Sequence, residues 1–178
     1  MIRPRLSGWQ TALILGIAIL VGGCHSARIK FPRQGTDGPQ FEVEFDDNTS
    51  KTRQHIIKEC HSWLGTPYKH AGIDKDSGVD CSGLVMQVYL KVADIKLPRN
   101  SAKQSEFCKH IKKKNVRPGD LVFFATGNDP DKVTHVGIMI DEDKFIHSSS
   151  SKGVCIASVS SPWYSKRVLH YGRVPHMT

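Results

Sequence analysis

The hydrophobic periodicity of this chain changes once, near Arg117, and that change limits the architectures open to it. Before it, apolar residues recur at helical spacing. Ile56, Ile57, Cys60, Trp63 and Leu64 mark one helix beginning after Thr49 and stopped by Gly65 and Pro67. Leu84, Val85, Val88 and Val92 mark a second, announced by Asp80 as N-cap, so Cys81 stands in its first turn. A third, shorter helix is predicted from Asn100 or Ser101 to about His110. After the Arg117-Pro118-Gly119-Asp120 turn only strand patterns follow: 121–124, 133–140, 145–148, 154–158 and 168–174. Helices first and strands afterwards predict an α+β domain.

The N-terminus reads as an address. Arg3 and Arg5 precede an unbroken apolar run from Ala12 to Val21, too short to span a bilayer, which needs about 20 residues. Val21-Gly22-Gly23-Cys24 resembles the lipobox of bacterial lipoproteins, which implies a signal segment over 1–23 and a lipid on Cys24 as the first mature residue. Acyl chains on that residue anchor it stably to a membrane. His25 stands where Asp retains Gram-negative lipoproteins in the inner membrane, so the outer membrane is the expected destination, with the protein facing the periplasm. Residues 24–50, rich in Gly, Pro, Gln and charge, are expected to form a tether with a reach of about 25 to 30 Å. The alternation from Phe41 to Phe45 is also compatible with a strand. The folded domain is expected over 51–178.

Charge narrows the partners. The chain has 25 Lys+Arg against 17 Asp+Glu, and removing Arg3 and Arg5 leaves 23 − 17 = +6 for the mature protein. That excess suits an acidic partner. The run Lys112-Lys113-Lys114 has no interleaved aromatic residues and no accompanying nucleic-acid motif, so it reads as a solvated loop and no nucleic-acid partner is expected.

The five cysteines are odd in number and irregularly spaced, which fits neither a complete disulfide set nor a zinc finger. Cys60, Cys108 and Cys155 lie beside apolar periodic positions and read as core thiols. Cys81 is different. A free thiol ionises near 8.5, and a helix N-terminus contributes at most about 2 kcal/mol, or about 1.5 pH units. A strongly nucleophilic sulfur therefore also calls for a nearby imidazolium. Among nine histidines, His135 lies on the strand face opposite Val136, Ile138 and Ile140, and His147 shares a face with Phe145 opposite Ile146. A Cys81/His135/His147 arrangement is thus open to the chain, with spacing alone unable to prove it.

Several motifs occur together: Gly65-Thr66-Pro67-Tyr68, Gly78-Val79-Asp80-Cys81-Ser82-Gly83, Leu97-Pro98-Arg99 with Gln104, Arg117-Pro118-Gly119-Asp120, His135-Val136-Gly137-Ile138, Phe145-Ile146-His147 and Ser161-Pro162-Trp163-Tyr164. In this order, across about residues 52 to 174, the chain resembles the NlpC-type cell-wall cysteine peptidases. The resemblance implies a papain-like fold, with a Cys-bearing helix packed on an antiparallel sheet or partly closed barrel. It implies Cys81 as nucleophile, His135 as general base and His147 as the residue orienting that base. Tyr68 matches a tyrosine proposed to help hold the oxyanion, and Asp80 and Ser82 flank the thiol, where backbone groups are the candidate oxyanion or substrate contacts. Asn100, before Ser101, stands where many members carry an Asp that binds the free amine of the peptide. Its identity puts that requirement in doubt.

The implied activity is hydrolysis of an amide in peptidoglycan stem peptides by a monomeric enzyme without a cofactor. The bond between D-Glu and the diamino acid, meso-diaminopimelate, is slightly favoured over the D-Ala to diaminopimelate cross-link. Two readings from other classes stay open: a zinc site built from Cys81, His135 and His147 with water, and a non-catalytic wall-binding protein on the same fold.

Overall fold

The computed structural model describes residues 29–30, 42–43, 45 and 49–177. The expected signal segment and Cys24 lie outside them. Within the expected tether, strand β1 (Ile29–Lys30) pairs antiparallel with β2 (Glu42–Val43), so part of the Phe41 to Phe45 alternation does form a strand. Phe45 packs against the main core.

Helix α1 (Lys51–His61) buries Ile56, Ile57 and Cys60 along one stripe, as the helical spacing predicts. It also buries Arg53, whose guanidinium would be very unfavourable there without partners. Nη1 donates to the Pro118 carbonyl at 2.7 Å and to Asp120 Oδ1 at 3.1 Å. Asp120 in turn accepts from Arg173 Nε and Nη2 at 2.9 and 2.7 Å, and from the Arg117 N–H. One buried carboxylate thus ties α1, the turn before the sheet and the last strand together.

After a short hairpin of β3 (Ile73–Asp74) and β4 (Gly78–Val79) comes α2 (Cys81–Ala93). Asp80 caps it as predicted, its carboxylate accepting from the Gly83 N–H at 2.7 Å. Gly83 is required here because a β-carbon would collide with the Gly72 carbonyl. Asp94, in the left-handed conformation at φ 55°, ends the helix.

Helix α3 is shorter than the periodicity predicts. It covers Ser101–Phe107 and does not continue to His110; Lys109–Ile111 form strand β5 instead. The reason is non-local. Lys109, His110 and Ile111 find partners in Arg173, Gly172 and Tyr171, sixty or more residues later. A one-turn 3-10 helix, Lys113–Asn115, leads to the turn before β6.

The remaining strands are β6 (Leu121–Phe124), β7 (His135–Met139), β8 (Lys144–Ser149), β9 (Gly153–Ser158) and β10 (Val168–Arg173), with helix α4 (Pro162–Ser165) between the last two. They form an antiparallel six-stranded sheet in the order β5-β10-β6-β7-β8-β9. The strand alternation sorts its residues into two clusters. Val136, Ile138, Ile140 and Ile146 join α1 and α2 in the larger one. Phe124, Met139, Phe145 and Tyr171 form a smaller one on the other side, with Tyr164 of α4 against it. No barrel closes. The architecture is α+β, a layer of helices over one sheet face and a small aromatic layer over the other.

Candidate active site

Cys81 and the two histidines come from opposite layers. Cys81 packs against the helix-side cluster, whereas His135 and His147 lie among the aromatic rings, at centroid distances of 5.8 Å to Phe124 and 4.9 Å to Phe145 respectively. They meet at the start of β7, where a cavity of about 280 Å³ is lined by Cys81, His135, His147 and Tyr68, together with Trp163 and Tyr164. The backbone N–H of Val136, the residue after His135, acts on the Cys81 thiol, which fixes the sulfur beside the start of that strand. Gly137 helps: a side chain there would strike the Phe145 ring, which packs against His147.

The histidines are joined directly. His135 Nε2 and His147 Nδ1 are 2.9 Å apart, with the rings perpendicular. His147 Nε2 then lies 3.1 Å from the Tyr164 hydroxyl and 3.6 Å from Cys155 Sγ. The tautomers follow from what a base requires. Since Nε2 of His135 is engaged by His147, its free nitrogen is Nδ1, and a base must accept a proton there. It therefore carries its hydrogen on Nε2 and donates it to His147 Nδ1. His147 must then hold its own hydrogen on Nε2, donated to Tyr164 or the Cys155 sulfur.

Burial governs the electrostatics. It lowers His135 to about 4, and together with the charges of His135 and Lys152 it lowers His147 to about 3, so both rings are neutral at physiological pH. Burial pushes the Cys81 thiol up and the Asp80 carboxylate adds to this, while the N–H groups of Val136, Ser82 and Cys81 pull it down. The helix N-terminus does not leave a free-standing thiolate. A neutral thiol beside a neutral imidazole is the resting pair, because passing the proton from sulfur to ring creates both charges together and needs no isolated buried charge. Tyr68, 36% exposed, is raised by burial and by Cys81, so its phenol stays protonated and able to donate.

Asp80 and Ser82 face elsewhere with their side chains. Asp80 accepts from Arg99 Nη1 and Nη2 at 2.9 and 2.8 Å and from Ser82 Oγ at 3.1 Å, and Ser82 Oγ accepts from Arg99 Nη1 at 3.0 Å. Burial opposes the Asp80 charge, but Arg99 and the Gly83 N–H outweigh it and hold the carboxyl below its usual range. This network anchors the start of α2 and leaves the N–H groups of Cys81 and Ser82 directed at the sulfur. Asn100 is the N-cap of α3, its side chain accepting from the Lys103 N–H at 2.9 Å, and Ser101 is buried behind it. Neither lines the cavity around Cys81.

Three contributors were not singled out by sequence. Tyr164 lies within a recognised motif, but its meeting with His147 joins a four-residue helix to a strand. Arg99 likewise lies in a motif without an assigned partner. Cys155, expected among the core thiols with Cys60 and Cys108, is half-exposed on β9 opposite His147, to which it is register-paired. Cys60 and Cys108 are buried as expected; burial pushes the Cys60 thiol up and, with the Asp120 charge, lifts Cys108 to about 12. All four described cysteines are free. Among the described residues, no group of three His, Cys, Asp or Glu side chains is placed to hold a metal ion, so the geometry does not favour the zinc reading.

Residues 65–173 match the model of the NlpC/P60 family. A probable endopeptidase of Haemophilus influenzae is 40% identical over 119 residues, covering 67% of this chain and 73% of that protein. The murein DD-endopeptidase MepS/murein LD-carboxypeptidase of Escherichia coli is 30% identical over 171 residues, covering 90% of this chain and 89% of that protein. Among solved structures, a protein of the NLP/P60 family similar to lipoprotein, from Staphylococcus aureus, superposes with a TM-score of 0.64 at 34% identity. The match covers 75% of this chain and 43% of that longer one.

Proposed function

This chain belongs to the NlpC/P60 family and is a peptidoglycan hydrolase of the cysteine-endopeptidase type; from that premise we propose which residues do the chemistry and on which bond. The observation that carries the assignment is the shared cavity at the start of β7, where the Cys81 sulfur meets a base already hydrogen-bonded through His147. Cys81 Sγ attacks the carbonyl carbon of the stem-peptide amide as His135 Nδ1 takes the thiol proton. The oxyanion that forms is held by the N–H groups of Cys81 and Ser82 and by the protonated Tyr68 hydroxyl. The C–N bond breaks as His135 returns the proton to the leaving amine. Water, deprotonated by His135, then cleaves the thioester and frees the sulfur.

The proposed bond joins D-Glu to the diamino acid. A second reading, the D-Ala to diaminopimelate cross-link, is favoured by one specific observation: the relative named as a murein DD-endopeptidase aligns over nearly its whole length. Asn100, engaged as a helix cap, supplies no carboxylate for a free amine. Mass spectrometry of fragments released from purified sacculi decides between the two bonds. Stems ending in D-Glu together with released peptides that begin at diaminopimelate support the first, and separated dimers with intact stems support the second. If Cys81→Ala protein still releases fragments at the wild-type rate, the nucleophile assignment fails.

We further propose that the protein acts outside the cytoplasm, tethered through a lipid on Cys24 to the outer membrane. The lipobox-like tetrad before Cys24 supports this, and no helix among the described residues is long and apolar enough to cross a membrane. Metabolic labelling with a palmitate analogue, lost in Cys24→Ser protein, tests the anchor.

A further inference from the structure

The substrate carries free carboxylates, yet among the described residues no Lys or Arg lines the cavity around Cys81. The cations are elsewhere. At the far edge of the sheet, β5, the 3-10 turn and the end of β10 enclose a second, larger hollow of about 950 Å³. Lys109, Lys112, Lys114, Arg117 and Arg173 line it, together with His110, and among the described residues no carboxylate does. Five cations against a mature excess of +6 mean that one groove gathers charge comparable to the whole net charge of the protein.

All three lysines of the run are exposed, as expected, but they do not share one face. The tight turn at Lys113–Asn115 divides it: Lys112 and Lys114 face the groove, whereas Lys113 acts on Asp143. The floor is preorganised. Arg173 is fixed by two hydrogen bonds to Asp120 and by Nη2 donating to the Asn115 carbonyl at 2.8 Å. Asp120, 1% exposed, is shared with Arg53, so the two guanidiniums outnumber the single carboxylate beneath the groove. Lys109, Lys112, Lys114 and Arg117 are exposed above it.

We propose that this groove is a second binding site for the same polymer, an exosite that takes the carboxylates of an uncut stem peptide while the cleft at Cys81 works on another. It rests on the peptidoglycan-hydrolase reading. A concave, one-signed groove suits a linear anionic chain and raises the local concentration of substrate around a cleft that has no charge of its own. From β5 to β7 is three strand spacings, about 15 Å, and the register sets Lys109 and Arg173 about four residues, or roughly 14 Å, along the strands from His135, so the two sites lie about 20 Å apart and one wall fragment can occupy both.

The test is the full-length triple variant Lys112→Glu, Lys114→Glu, Arg117→Glu, all at exposed positions away from the cleft. Binding to purified sacculi at low salt, and the rate of their solubilisation, are expected to fall about tenfold or more, while kcat/KM on a soluble single-stem fragment stays within about twofold of wild type. Wild-type activity on sacculi should fall with added salt, and the variant should have lost that dependence. An unchanged sacculus rate and affinity at low salt would overturn the exosite, as would equal losses on both substrates. Retained sacculus binding with lost binding to phosphatidylglycerol vesicles would overturn it in favour of a membrane surface. If wild type cuts neither substrate, the hydrolase reading fails on its own. The exosite is then judged by sacculus binding of Cys81→Ala protein with and without the charge reversals.

Discussion

The two faces of the sheet bury unequal clusters, the larger on the helix side, for different ends. On the helix side, Val136, Ile138, Ile140 and Ile146 meet the aliphatic stripes of α1 and α2, and nothing on those four strand side chains titrates or donates a hydrogen bond. On the other side, Phe124, Phe145 and Tyr164 enclose two imidazoles. Burial there keeps His135 and His147 neutral and strings them into a fixed chain of hydrogen bonds. The same loss of water that stabilises an aliphatic layer destabilises a protonated imidazole. One face therefore sets how firmly the domain folds, and the other sets the protonation state in which it works.

Changes that separate these roles sharpen the contrast. The largest effect is expected from Cys81→Ala, at the seam: a loss of sacculus-lysing activity of at least about 10⁴-fold with an unchanged melting temperature. A parallel fall in melting temperature would show that the sulfur belongs to the stability layer. Ile138→Ala on the aliphatic face is expected to do the reverse. Chemical denaturation should show a loss of about 2–5 kcal/mol, while the folded fraction keeps its wild-type rate of Cys81 alkylation.

The pH dependence distinguishes the faces next. Both histidines titrate lower in the folded protein than their ordinary 6.5, so unfolding takes up protons below that value. Their contribution to stability is fully present above about 6.5 and is lost as pH falls towards 4 and then 3. His147→Asn removes one of these groups, and its stability should fall less steeply over that interval than wild type in urea titrations at successive pH values. Equal slopes would place the acid sensitivity elsewhere. Cys81 alkylation should likewise hold a plateau down to about 4, and an acid limb at 6.5 would contradict the neutral resting pair.

The smallest effect is at the end of the chain. Tyr164→Phe removes the oxygen that accepts from His147 Nε2 and keeps the ring in its aromatic contacts. A drop in kcat of about tenfold, with KM and melting temperature little changed, is expected for the loss of one hydrogen bond of about 1 to 1.5 kcal/mol. Because Cys155 Sγ remains as a weaker acceptor, Tyr164→Phe with Cys155→Ala should be slower than either single variant.

Much of this layout is legible from local pattern. The parity of β7 places His135 opposite Val136, and the parity of β8 pairs His147 with Phe145, because side chains alternate whatever the strand meets later. The Asp80 cap needs only Gly83, three residues away, and it forms as predicted. Pattern fails where a partner is remote. The helix predicted to run to His110 stops at Phe107 because Arg173, Gly172 and Tyr171 pair with the residues beyond. The core position assigned to Cys155 ignored that β9 is the last strand of the sheet, whose residues after Val154 are half-exposed. Asn100 drew attention as the altered member of a motif, but its oxygen serves the turn it begins.

Sequence by itself determined the kinds of element, the face on which each histidine stands, and the placing of a thiol at a helix start, all of which depend on neighbours within a few residues. Only the tertiary structure decided that this thiol would share a cavity with His135, that the relay would continue to Tyr164, and that a lysine run would join Arg117 and Arg173 in one groove. Those juxtapositions link residues up to about sixty positions apart. They arise from strand pairing and layer packing, in which each partner's position depends on the whole chain having closed around it.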